Sequence, residues 1–118
     1  MKLRTEYTCP LELTHDVTKG KWKPIILWQL GKNPMSLSQL EKDIQGITQK
    51  MLLEHIKELS DAHMVYKKTF EGYPLKVEYG LTDRGKKMLE AIVIMQDIGI
   101  DLMKEHGMTD VLAAKGFI

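Results

Sequence analysis

An internal disulfide is excluded, because Cys9 is the one cysteine among 118 residues; a lone thiol fits a reducing compartment and leaves a free sulfhydryl to explain. Long apolar runs are missing too. Nothing approaches the roughly 20 consecutive apolar residues of a membrane span, so no membrane partner is expected. The opening MKLRTEYTCP has no apolar h-region, which leaves no secretory signal and makes the cytoplasm the default location. Neither sign of charge is in excess: 17 Lys and Arg stand against 16 Asp and Glu, a net charge of +1. Overall charge therefore says little about partners, and only the placement of charges is informative. His15, His55, His63 and His106 form no pair at metal-ligand spacing and have no cysteine company, so no metal and no cofactor are expected. A nucleophile elbow, a P-loop, a dinucleotide glycine fingerprint and a Cys/His couple are all absent. The chain does not read as an enzyme, and no catalytic residue is assigned.

What is present is a globular composition, 43% hydrophobic and 28% charged, over a length that suits one domain, residues 1–118. Pro10 to Thr18 reads as a short helix that opens on proline and is ended by Lys19-Gly20. A nearly all-buried helix follows from about Lys21 to Leu30, stopped by Gly31 and Pro34. Met35-Ser36-Leu37 is long enough only for a small strand, and Ser38 then suits the N-cap of a helix through Ile44. Gln45-Gly46-Ile47 makes a tight turn into a further helix at about 48–61. Beyond it, β-formers, the turn chemistry of Glu71-Gly72-Tyr73-Pro74, and alternating Leu75, Val77, Tyr79 and Leu81 predict a hairpin at about 64–81. Thr82-Asp83 caps a long helix at about 83–105, and Gly107 ends it before a short terminal element. The fold class is mainly α with a small β-hairpin.

The helix at 48–61 organises the rest. Leu52, Ile56 and Leu59 form one apolar stripe, while Lys50, Glu54, Lys57, Glu58 and Asp61 take the opposite face. Its first turn sets Thr48, Gln49, Lys50 and Met51 beside a helix N-terminus that attracts phosphate, with Glu54 and His55 farther along. That is the layout of a DNA recognition helix; an ordinary solvated face is the alternative. The preceding short helix and glycine turn add a helix-turn-helix signal. Lys67, Lys68 and Lys76 place an excess of cations at the hairpin tip, suited to a wing laid on phosphates, or else to solubilising an edge. In the long helix Leu89, Ile92, Val93, Met95, Ile98, Leu102 and Met103 make a stripe wider than one small domain needs, which points to dimerisation. Met88, Met95, Met103 and Met108 fit core packing better than an adaptable ligand pocket. Cys9 precedes Pro10, so its thiol would lie by a helix N-terminus that favours thiolate; a small packing residue is the plainer reading.

Several motifs in register carry a resemblance across roughly Cys9 to Leu102: the Cys9-Pro10 pair, Gly20-Lys21-Trp22-Lys23, Gly46-Ile47 with Gln49-Lys50-Met51-Leu52, and Val77-Glu78-Tyr79 followed by Leu81-Thr82 and Gly85. In these the chain resembles the HxlR-type family of winged helix-turn-helix bacterial transcriptional regulators, departing at Ser36, where members often carry a basic residue. The resemblance implies a homodimer on double-stranded operator DNA, paired through N- and C-terminal helices. For Cys9 it implies a sensor of small electrophiles or oxidants, a role found in a subset of members. A winged-helix module that binds another protein instead of DNA is the alternative function.

Overall fold

A computed structural model describes residues 2–118. Helix α1 spans Pro10–Thr18, α2 Trp22–Leu30, α3 Leu37–Asp43 and α4 Gln49–Asp61; strands β1 Val65–Phe70 and β2 Lys76–Leu81 follow, then α5 Asp83–Glu105 and α6 Thr109–Ala114. The architecture is mainly α with one antiparallel hairpin, as the periodicities predict. Helix α2 is central because it is apolar almost all round: Ile26, Leu27 and Leu30 are buried, Ile25 and Trp28 half-buried, and it touches α3, α4, α5 and β2. Around it Leu40, Ile44, Ile47, Leu52, Ile56, Leu59, Met64, Val65, Tyr79 and Leu81 complete one core. Fully burying such a side chain is worth about 1.5–3 kcal/mol.

Two expectations about local structure need correction. Ser36, rather than Ser38, caps α3, its Oγ accepting from the Gln39 N–H at 3.2 Å. The reason lies one residue earlier, where Met35 exchanges two backbone hydrogen bonds with Tyr79, 2.9 and 2.8 Å long. That bridge keeps the chain extended up to Ser36, so the helix begins at Leu37 and Ser38 is already inside it. Glu58, expected on the solvent face of α4, is half-buried and pairs with Lys23 of α2 at 2.9 Å. Desolvation would raise its pKa, yet the carboxyl is held below its ordinary value, the Lys23 hydrogen bond and charge contributing.

The joint between α4, the hairpin and α5 is close. Thr82 caps α5, accepting from the Gly85 N–H at 3.1 Å, and the same hydroxyl donates to the His63 carbonyl at 2.5 Å. The Thr82 N–H donates to the Met64 carbonyl at 3.1 Å. Gly85 is buried against that carbonyl, and a Cβ at Gly85 would collide with the Met64 oxygen. Backbone on both sides cannot yield as a side chain would. Gly85→Ala should therefore lower stability by about 2 kcal/mol or more, the usual cost of overpacking. Denaturant unfolding measures this, and wild-type stability in the variant would show that the joint has slack.

Candidate nucleic-acid interface

Gly46, at φ +91°, turns the chain between α3 and α4, a backbone region that a side chain would strain. Thr48 then caps α4, its hydroxyl accepting from the Met51 N–H at 3.2 Å. This fixes the first turn and exposes Thr48, Gln49 and Lys50, with Glu54 exposed one turn on. Met51 is only partly available, since it packs against the core cluster. His55 is half-buried, and its Nδ1 is shut off from solvent without a hydrogen-bond partner among the described residues.

The hairpin register alters the picture of the wing. Lys67 pairs with Tyr79 and Lys68 with Glu78, so both lie within the ladder, and only Lys76, opposite Phe70, borders the turn. The expectation of three lysines at the tip is corrected accordingly. Alternation puts Lys67 on the face of Val65 and Thr69, and Lys68 on the other. On that other face the Lys68 and Lys76 ammonium groups lie 4.8 and 5.3 Å from the centre of the Phe70 ring, and Lys76 reaches Glu78 at 3.6 Å. Lys67 instead faces the helices. With Gln49, Ser36, Ser38, Glu41 and Tyr79 it lines an open cavity of about 400 Å3 between α3, α4 and the hairpin. Glu41 was not singled out from the sequence, and Ser38 was read there only as a cap and Ser36 only as a departure from the family pattern. The parity of Lys67 with Val65 was the signal that separates it from Lys68 and Lys76.

The long helix divides its stripe between two tasks. Ile92 is only 6% exposed and Leu89 is half-buried against Gly31, so both belong to the chain's own core and leave the expected dimerisation set. Met95, Ile98 and Leu102 remain exposed, joined by Ile94 on the same helix. Helix α1 adds an exposed Leu11. Near α1, residues 4–7 are strapped along the helix: Arg4 reaches Asp16 at 3.2 Å and Glu12 at 3.0 Å, and the Tyr7 hydroxyl donates to Asp16 at 2.7 Å. The Tyr7 hydroxyl, with Arg4 and Lys19 behind it, holds the Asp16 carboxyl below its ordinary value. Cys9 is the N-cap residue of α1, half-buried, its carbonyl accepting from the Glu12 N–H at 3.0 Å. Among the described residues no helix is long and apolar enough to cross a membrane.

Comparison with known proteins agrees with this geometry. The model of the HxlR-like helix-turn-helix family matches residues 17–107. MalR of Fusobacterium mortiferum, named as a regulatory protein, is 37% identical over 100 residues, covering 84% of this chain and 94% of its own. The solved redox regulator HypR in its oxidized form superposes with a TM-score of 0.75 at 31% identity, covering 79% of this chain and 96% of its own. The transcriptional regulator YodB from B. subtilis in its reduced form gives a TM-score of 0.70 at 29% identity, covering 77% of this chain and 90% of its own; it has also been solved after diamide treatment.

Proposed function

The chain belongs to the HxlR-like helix-turn-helix family and is a transcriptional regulator rather than an enzyme, and from that premise we propose that it acts in the cytoplasm as one domain that binds double-stranded operator DNA as a homodimer. The observation that carries the proposal is the convergence of the exposed first turn of α4 with Lys67 of the hairpin around one open surface. Gln49 and Lys50 reach base edges or nearby phosphates in the major groove, Thr48, Met51, Glu54 and His55 border that contact, and Lys67, Lys68 and Lys76 hold the flanking backbone. Two such units dock on an inverted repeat whose half-sites lie about 34 Å, or a multiple, apart.

Fluorescence anisotropy on the chain's own upstream DNA tests this. Gln49→Ala should relax sequence preference, costing about 1–3 kcal/mol of discrimination against mismatched sites if the contact is bidentate. Lys67→Ala or Lys68→Ala should weaken all sequences alike and lower the log-log salt slope by about 0.9 for each phosphate no longer neutralised. Binding left unchanged by all three variants would move the recognition surface elsewhere.

Cys9 makes the regulator responsive to oxidants or electrophiles. Support comes from its place at the start of α1 beside the exposed Leu11, and from the likeness to a protein named a redox regulator. No second cysteine exists in the chain, so oxidation by diamide joins the Cys9 sulfurs of two protomers. Two thiols each give up one proton and one electron, and diamide accepts both pairs to become the hydrazine. The two Cα atoms must then approach within about 7 Å. Diamide should release wild-type protein from DNA and produce a cross-linked dimer on non-reducing gels, whereas Cys9→Ser should keep its DNA affinity. Release of both proteins, or of neither when Cys9 is fully modified, would leave Cys9 a packing residue.

A further inference from the structure

We propose that the cleft between α2, α5 and the C-terminal tail is a binding site for a small aromatic carboxylate. The tail packs on α5 through α6, whose Leu112 is 1% exposed, and the Phe117 N–H closes the end of α6 by donating to the Leu112 carbonyl at 2.9 Å. The cleft encloses about 410 Å3, within the range of small-molecule pockets. Trp28 of α2 and Phe117 of the tail supply aromatic surface on which a planar ring can pack. Lys32 and Lys115 bring two ammonium groups, and neither has an acidic partner among the described residues. No acidic side chain lines the cleft, so an entering anion meets two ammonium groups with no competing carboxylate.

Gln29 and Gln96 add amide groups. The Gln29 Oε1 is buried with no hydrogen-bond partner among the described residues, a deficit that a hydroxyl on the bound molecule removes once the terminal amide rotates toward the cleft. A neighbouring cavity of about 450 Å3 shares Gln29 and Lys115 but is also lined by Asp43. Lys21 and Asp43 offset one another there, whereas the cleft holds cations alone, so the ligand's charge goes to Lys32 and Lys115. The ring then lies toward Trp28, and a hydroxylated ring is preferred over an unsubstituted one. The inference stands apart from DNA binding, because none of these residues belongs to the surface formed by α4 and the hairpin.

The chain's two tryptophans, Trp22 and Trp28, provide the readout, Trp28 lying in the cleft itself. Full-length protein is titrated with 4-hydroxybenzoate, with benzoate, and with benzamide as the uncharged analogue, following tryptophan fluorescence. Saturable quenching by 4-hydroxybenzoate is expected, with benzamide at least tenfold weaker. Lys32→Gln and Lys115→Gln, both at exposed positions, should each weaken 4-hydroxybenzoate at least tenfold while leaving the melting temperature of the free protein unchanged. Gln29→Leu should erase the advantage of 4-hydroxybenzoate over benzoate. Equal binding of benzamide, full affinity in both lysine variants, or no saturable quenching up to about 10 mM would each overturn the assignment.

Discussion

Ile98→Asp is expected to convert the proposed homodimer to monomers without unfolding the chain. Ile98 is 55% exposed in the single chain, so a carboxylate there remains hydrated in the monomer, and surface changes of that kind stay within about 0.5 kcal/mol of wild-type stability. In the proposed dimer, paired through the exposed stripe of α5, the situation reverses. A two-fold interface presents the same patch twice, so one substitution buries two like charges among Met95, Leu102 and their symmetry mates. An unpaired carboxylate in an apolar contact costs several kcal/mol. The dimer dissociation constant should rise by about two orders of magnitude or more, since each 1.4 kcal/mol is tenfold. Sedimentation velocity reads the mass, circular dichroism the fold, and anisotropy the accompanying loss of operator affinity. Ile92→Asp is the informative contrast: Ile92 is buried in the chain's own core, so that variant should unfold rather than dissociate. A folded Ile98→Asp dimer would put the interface on another face.

Removing the ammonium group at Lys23 should lower stability and loosen the contact between α2 and α4. Lys23 is 4% exposed and its Nζ lies 2.9 Å from Glu58 Oε2, tying α2 to the helix that carries the proposed DNA contacts. Lys23→Ala removes a charge-assisted hydrogen bond and the packing of a buried stem, and stability should fall by about 1.5–3 kcal/mol. Lys23→Met with Glu58→Leu should regain most of the loss, since replacing both charges with apolar groups of similar size is often close to neutral. The restored variant supplies a functional test as well. If the pair orients α4, the double variant should be stable yet bind operator less well. Stability equal to wild type in Lys23→Ala would show the pair to be dispensable.

Much of the fold was legible in the residues. The stripe of Leu52, Ile56 and Leu59, the caps at Thr48 and Thr82, and the breaks at Gly31 and Gly46 mark elements by local chemistry alone, and the structure has them within a residue or two. The stretch from about Lys21 to Leu30, apolar almost all round, was identifiable as a nearly all-buried helix for the same reason. Ser36 and Ser38 could not be separated as caps from sequence, since either serine can accept from an N–H three residues on. The backbone bridge from Met35 to Tyr79 made the choice, and Tyr79 is distant in sequence.

Local pattern also determined the exposed first turn of α4, the hairpin, and the lone thiol at the start of α1. These follow from propensity, capping and period, which act between residues a few positions apart. Only tertiary structure decided which surfaces those residues join. Strand register moved Lys67 onto the face shared with Gln49 and turned Lys68 and Lys76 toward Phe70. Helix packing drew Ile92 and Leu89 inward while leaving Ile98 outside, although all three lie on one helix and look alike in sequence. The pairing of Lys23 with Glu58 and the meeting of Phe117 and Trp28 at one cleft join residues far apart along the chain. Such contacts are set by the angles at which helices cross and the depth to which they pack, quantities that no local spacing encodes.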